Sequence, residues 1–323
     1  MTRKNETRIV GGKWMVDDEE ESEARPRKPR SKSKSAGVVK QSYESNPDVQ
    51  RWLSEQAIGE GRKAPFQPNF LAGRRDGDWV LSSLNHFYEQ DLICDVISEV
   101  KSGKEATVFC CTADPSTGVE FMAAKIYRPR IFRALSNDAI YREGRVARDM
   151  DGRVVRGGRG VPGRATQKGR AFQIESWIAF EYATQQAVYA ARVTTPQPFS
   201  QIGNGILMEF VGTPEDPAPR ICEIAIDGGI ARRLYDELLE DVRRSLLAHR
   251  IHGDLSAYNI LFHNDRAVVI DFAQAVDPRL SQDAFDLLLR DVARLCSYFA
   301  PYGVRANPHE IATALWEEYL QGT

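Results

Sequence analysis

From residue 78 onward the hydrophobic positions change spacing in a definite order. Trp79, Leu81, Leu84, Phe87 and Leu92 repeat with a helical period. Residues 96–100, 106–111 and 121–127 are short apolar runs that predict strands. The DPSTG stretch at 114–118 has the chemistry of a hairpin turn between the last two. An antiparallel unit of at least three strands follows from this. The pattern then lapses. It returns at Ile174, with Trp177, Ile178, Glu181, Tyr182 and Val188 on a helical repeat that Pro196 and Pro198 end. The apolar run GILMEFV at 205–211 predicts a strand. Ala231, Leu234, Leu238, Val242 and Leu246 predict an amphipathic helix. Residues 259–263 and 267–271 predict two short strands about Asn264-Asp265, and helices follow near 284–299 and 309–320. The order is a small β-rich lobe, one helix, a connecting strand and a mostly helical lobe. That is an α+β chain with two lobes, and a cleft between lobes is where ligands bind.

Composition adds a tail and a loop. Residues 17–23 are acidic but for Ser22, and residues 25–40 carry Lys, Arg, Ser and Pro with no acid. Such stretches bury too little apolar surface to offset chain entropy. The expected organisation is a disordered charged tail over 1–76, an N-lobe over 77–211 and a C-lobe over 212–323. Residues 128–170 hold twelve Lys/Arg against four Asp/Glu, and an Arg/Gly-rich flexible loop is expected at about 146–172. The Gly158, Gly160 and Gly163 spacing within it matches a dinucleotide fingerprint, but no strand leads into it and no helix follows at once. Net charge is −2, which excludes a globally basic nucleic-acid coat. A local grip on RNA by 25–40 is an alternative to a plain solvated tail. No apolar stretch approaches the roughly 18–20 residues of a membrane span. The N-terminus has no apolar secretory core, and the five cysteines form no C-x-x-C pair. A cytoplasmic setting is expected.

The residues that carry chemistry lie near the end of the pattern. In His252-Gly-Asp254-Leu-Ser-Ala-Tyr-Asn259-Ile-Leu261, an acid and an amide stand five residues apart; seventeen residues after Asp254 comes Ile270-Asp271-Phe272. Two acids and an amide at strand–loop junctions suit phosphoryl transfer: one carboxylate takes the acceptor's proton, and the other, with the amide, holds Mg²⁺. Lys125 interrupts the apolar strand Met122-Ala-Ala-Lys-Ile-Tyr127 and can reach phosphates. Glu181, mid-helix, is the candidate to orient it, with Glu175 as the competitor. Ser102-Gly-Lys104-Glu-Ala106 has one glycine, so it is neither a G-x-G-x-x-G flap nor a Walker A loop; ahead of the Lys125 strand it can cover nucleotide phosphates. In Glu209-Phe-Val211-Gly212, the backbone of Glu209 and Val211 can bond an adenine edge.

Together these segments resemble the RIO family of atypical protein kinases. Ser102–Ala106 is similar to the family's short flexible loop, Lys125-Ile-Tyr127 to its strand lysine, and Leu207-Met-Glu-Phe-Val-Gly212 to its hinge. The string from His252 to Leu261 resembles its catalytic loop and Ile270-Asp-Phe-Ala-Gln274 its metal loop. Arg290-Asp-Val-Ala-Arg294 resembles the helix closing its C-lobe. The resemblance implies a bilobal protein-kinase-like fold, ATP and Mg²⁺ as cofactors, serine autophosphorylation, ATPase turnover and work in small ribosomal subunit maturation. By it, Asp254 is the proton acceptor, Asn259 and Asp271 the metal ligands, and Asp271 a residue that can itself accept phosphate. It places the family's flexible, phosphorylated loop between Lys125 and Glu181, where Ser136 is the nearest serine. No winged-helix module is seen ahead of the kinase region, and Val276-Asp-Pro-Arg-Leu-Ser281 departs from the family's His-rich string. Only 52 residues follow Asp271, with no A-P-E string, so a standard peptide-docking platform is not expected. A small-molecule kinase, sharing H-G-D-L-x-x-x-N, and a nucleotide-gated RNA or ribosome assembly factor acting through the basic tail and Arg/Gly loop are the competing readings.

Overall fold

The computed structural model describes residues 63–74, 77–128 and 167–322, with the backbone alone over 167–174. The 1–62 part of the expected tail lies outside the described residues. So do Ser136, the Gly158–Gly163 motif and the Arg/Gly loop as far as 166. The described residues share a single unit.

Helix α1 (Gly77–Glu89) buries Trp79, Leu84 and Phe87 of the predicted repeat together with Val80, while Leu81 is half-buried and Leu92 lies past its end. It lies against a five-stranded antiparallel sheet of β1 (Ile93–Ser102), β2 (Ala106–Ala113), β3 (Phe121–Tyr127), β4 (Pro198–Ile202) and β5 (Gly205–Glu209). The order across the sheet is β1-β2-β3-β5-β4. Lys125 thus sits on the central strand, opposite Val108 of β2 and Ile206 of β5. The core of this lobe is formed by Leu84, Phe87, Ile93, Phe109, Met122 and Leu207, all fully buried. Each contributes about 1.5–3 kcal/mol by leaving water.

Two expected boundaries move. Packing begins well before 77: Phe66 and Leu71 are buried, Phe66 stacks on Tyr88 with ring centroids 4.6 Å apart, and Lys63 Nζ donates to the Tyr88 carbonyl at 2.8 Å. Phe66, Leu71 and the partly buried Phe70 seat this segment on the first lobe's core. Helix α2 (Gln167–Ala190) also starts inside the stretch expected to be loop.

The second lobe is built on α3 (Gly228–Leu247), the hairpin β6 (Ile260–His263) and β7 (Arg266–Val269), α4 (Ala284–Phe299) and α5 (Pro308–Gly322). Asp227 caps α3, its carboxylate accepting the N–H groups of Gly229 and Ile230 at 2.8 and 2.9 Å. Such a cap is worth about 1 kcal/mol. Leu234, Leu238, Leu288, Val292 and Phe299 form the lobe's core with Ile251 and Ile260. Asn264 and Asp265 both have positive φ, as a tight two-residue hairpin turn requires.

Candidate active site

Lys125, Glu181 and Asp271 converge. Lys125 Nζ lies 2.7 Å from Glu181 Oε1 and 2.8 Å from Asp271 Oδ1. Side-chain exposure falls from 44% at Asp271 through 12% at Lys125 to 4% at Glu181, so the cluster runs from open cleft to interior. The Tyr127 hydroxyl donates to the other Glu181 oxygen. Burial works against the Lys125 charge, but the carboxylates of Asp271 and Glu181 more than offset it and hold its pKa well above the ordinary value. Burial likewise works against ionisation of Asp271, yet Lys125 and a lesser contribution from His252 keep its carboxyl below the usual range. Burial and the nearby Glu181 charge push the Tyr127 phenol up.

Asp271 does not continue strand β7, which ends at Val269; its φ is +69°, in the left-handed region. The chain turns there into the short 3₁₀ segment Phe272–Gln274. That turn is held from α2: the Trp177 indole N–H donates to the Ala273 carbonyl at 3.0 Å, and the ring meets Tyr127 edge-on at 4.9 Å.

Asp254 and Asn259 form a second group. Asn259 Nδ2 donates to the Asp254 carbonyl at 2.9 Å and to its Oδ2 at 3.2 Å. The two groups are joined through Ile270, whose N–H donates to the Asn259 carbonyl at 3.0 Å and whose carbonyl lies 3.1 Å from His252 Nε2. No direct hydrogen bond links Asn259 to Asp271. The amide oxygen of Asn259 and the Asp271 carboxylate are hard oxygen donors, the type Mg²⁺ prefers, and few protein ligands suffice where phosphates and water complete the shell. Among the described residues no three His, Cys, Asp or Glu side chains gather as a ready-made cage. The donor set therefore fits a nucleotide-borne Mg²⁺.

Ser102 ends β1 and accepts from Arg128 Nη2; Arg128 also donates to Thr107 Oγ1 at 2.9 and 3.1 Å. Lys104 stands exposed on the turn between β1 and β2. Neither Ser102 nor Lys104 hydrogen-bonds to Lys125 or Asp271. Glu209 ends β5, its N–H donating to the Gln197 carbonyl at 2.8 Å and its carboxylate accepting from the Gln197 N–H at 3.1 Å. The Val211 carbonyl accepts from the Ala218 N–H at 3.1 Å. Gly212 makes this fold-back possible: its φ is +103°, and a Cβ there would stand 2.6 Å from Ala218 N and Asp216 O.

Two residues that contact the Asp254 loop went unassigned by the sequence motifs. Asp291 on α4 is buried and accepts the N–H groups of Gly253 and Leu255 at 2.7 and 2.9 Å, so it shapes the loop on either side of Asp254. Arg294 Nη1 lies 2.5 Å from Asp254 Oδ1. An acid on the apolar face marked by Leu287, Leu288, Val292 and Leu295 was the available signal for Asp291.

Comparison with known proteins gives the same picture. A family model described as the RIO domain matches residues 140–311, more than half of the chain. The RIO-type serine/threonine-protein kinase Rio1 of Thermoplasma acidophilum is 35% identical over 135 residues, covering 42% of this chain and 69% of that protein. Its namesake in Haloferax volcanii is 30% identical over 208 residues, 64% of each chain. Human serine/threonine-protein kinase RIO1 is 26% identical over 214 residues, and there only 34% of the relative is spanned. Among solved structures, the Rio2 kinase-ADP/Mg²⁺-phosphoaspartate complex from Chaetomium thermophilum matches with a TM-score of 0.53 at 20% identity, over 74% of this chain and 66% of that one. That likeness establishes the bilobal kinase fold. With a family model spanning most of the second lobe and the long helix before it, the chain belongs to the RIO family of atypical serine/threonine-protein kinases.

Proposed function

We propose that the chain transfers the γ-phosphoryl group of ATP, with Mg²⁺, to serine or threonine hydroxyls, its own included, and to water. The observation that supports this most directly is the double ion pair of Lys125 with Glu181 and Asp271. It sets a cation where phosphates would lie and a carboxylate half open to solvent beside it. In this reading the Glu209 carbonyl and Val211 N–H bond the adenine edge, and Ser102 and Lys104 cover the phosphates. Asn259 and Asp271 hold Mg²⁺, which when bound neutralises phosphate charge. Asp254 takes the proton of the attacking hydroxyl. Asp271 is the residue that would carry phosphate as an acyl phosphate, the modification named for the Chaetomium Rio2 complex.

A cytoplasmic location and binding to rRNA or a pre-ribosomal particle, through the 25–40 block and the Arg/Gly loop, belong to the same proposal. The five cysteines are all free thiols, in keeping with a reducing compartment. No helix of the described residues is long and apolar enough to cross a membrane.

The deciding experiment is incubation with γ-labelled ATP and Mg²⁺, separating free phosphate, phosphoserine and acyl phosphate. Label in any of the three that disappears in Asp254→Ala or Asp271→Asn supports the assignment. Absence of turnover in the intact protein, with ATP at millimolar concentration, would overturn it.

A further inference from the structure

A groove of about 670 Å³ opens at Asp254. Its walls include Ser256 and Tyr258 of the catalytic loop and Arg290, Arg294 and Ser297 of α4. The last three are spaced i, i+4 and i+7, so they share one helix face. The lining carries two arginines against the single carboxylate of Asp254. Tyr258 is 63% exposed at the rim, with the Arg220 guanidinium 6.0 Å from its ring centroid.

Both carboxylate oxygens of Asp254 are already engaged. Oδ1 is met by Arg294 at 2.5 Å and Oδ2 by Asn259 at 3.2 Å. The Arg294 and Asp254 side chains are 39% and 43% exposed, and an ion pair that open to water is weak and readily exchanged for another anion. A guanidinium presents its donors as a fork that suits carboxylate or phosphate. An acceptor with no anionic group leaves Arg294 where it is, on Asp254 Oδ1. An acceptor with one can draw the guanidinium away.

We propose that Arg294 selects the acceptor: the groove takes a serine-bearing acidic segment of a protein, and a carboxylate or phosphate next to that serine exchanges with Asp254 for the guanidinium. This rests on the kinase reading above, with Asp254 as proton acceptor. The serine oxygen then bonds to the γ-phosphorus as the bond to the ADP oxygen breaks, and the hydroxyl proton passes to the uncovered Asp254 oxygen. Ser256, Ser297 and the Tyr258 ring supply hydroxyls and an aromatic face for the segment's backbone. The groove's volume falls within the roughly 300–1,000 Å³ of ligand sites.

The test compares two serine peptides, one flanked by Asp and Glu and the other by Asn and Gln, as acceptors for full-length protein with ATP and Mg²⁺. The intact protein should use the acidic peptide with a kcat/KM about tenfold higher, the factor expected of one charge-assisted contact. Arg294→Ala should bring the ratio to within about twofold, chiefly by raising KM for the acidic peptide, and Arg294→Lys should retain part of the preference. Thermal unfolding with and without ATP checks that both variants fold and bind nucleotide. Equal use of the two peptides, transfer to neither, a preference that survives in Arg294→Ala, or equal loss on both peptides in that variant would each overturn the proposal. An Asp254→Ala arm separates this from the reading beneath it: ATP turnover unchanged in that variant removes Asp254 as the base, whereas a silent Asp254→Ala beside equal peptide use refutes only the role of Arg294.

Discussion

Lys125 and Asp271, 146 residues apart in the chain, are held 2.8 Å apart across the cleft, with Glu181 at 2.7 Å closing the cluster from behind. Replacing Lys125 by Met removes the shared cation and leaves Glu181 buried with the Tyr127 hydroxyl but no cation. A buried charge stranded in this way costs about 3–5 kcal/mol. Lys125→Met should therefore lower thermal stability and weaken ATP binding by at least about tenfold. Calorimetric titration with ATP and a melting curve measure both. Lys125→Met/Glu181→Gln should recover part of the stability and none of the affinity.

Asp254→Ala should reduce turnover by roughly 10²–10⁴-fold, the usual contribution of a positioned proton acceptor, while ATP affinity stays near that of the parent. Single-turnover kinetics with labelled ATP decide it, and unchanged turnover would exclude Asp254 from the chemistry.

Asp271→Asn should abolish Mg²⁺-dependent nucleotide binding and any hydroxylamine-sensitive label. If such label persists in the variant, the acyl phosphate is carried elsewhere.

Asp291 offers a test by pH. Burial raises its carboxyl above the ordinary value of 3.8, against the pull of His252, the Leu255 and Gly253 N–H groups and Arg290. Because the folded value lies above the unfolded one, the folded state holds this proton more tightly. The stability it contributes is complete below the unfolded value and is lost as pH rises through the folded value. Asp291→Asn cannot ionise, so its melting temperature relative to the parent should climb as pH rises through that window. A difference independent of pH would show that Asp291 has the same proton affinity folded and unfolded.

Strands β1, β2, β3 and β5 of the first lobe were legible as short apolar runs, and the helices of the second by one apolar face each. The strand β4 was not: Pro196 and Pro198 read only as the end of a helix. It forms because Pro198 is the first residue of an edge strand, where a missing N–H is tolerated. The 63–74 segment was passed over because the charge blocks at 17–40 set the reading of the whole tail, and Phe66, Phe70 and Leu71 are too few to establish a repeat. Among site residues, the spacing of Asp254, Asn259 and Asp271 carries its meaning locally, on loops flanking one hairpin. Arg294 does not. Its partner is 40 residues away, and an arginine on a helix gives no local sign of what it will meet.

Trp177 and Glu181 are one helical turn apart on α2 and lie on the same side of it. One grips the carbonyl two residues beyond Asp271, the other grips Lys125. A displacement of this one helix would therefore disturb the seats of the amine and of the carboxylate together. The helix thus ties a strand of one lobe to a loop of the other through two contacts one turn apart.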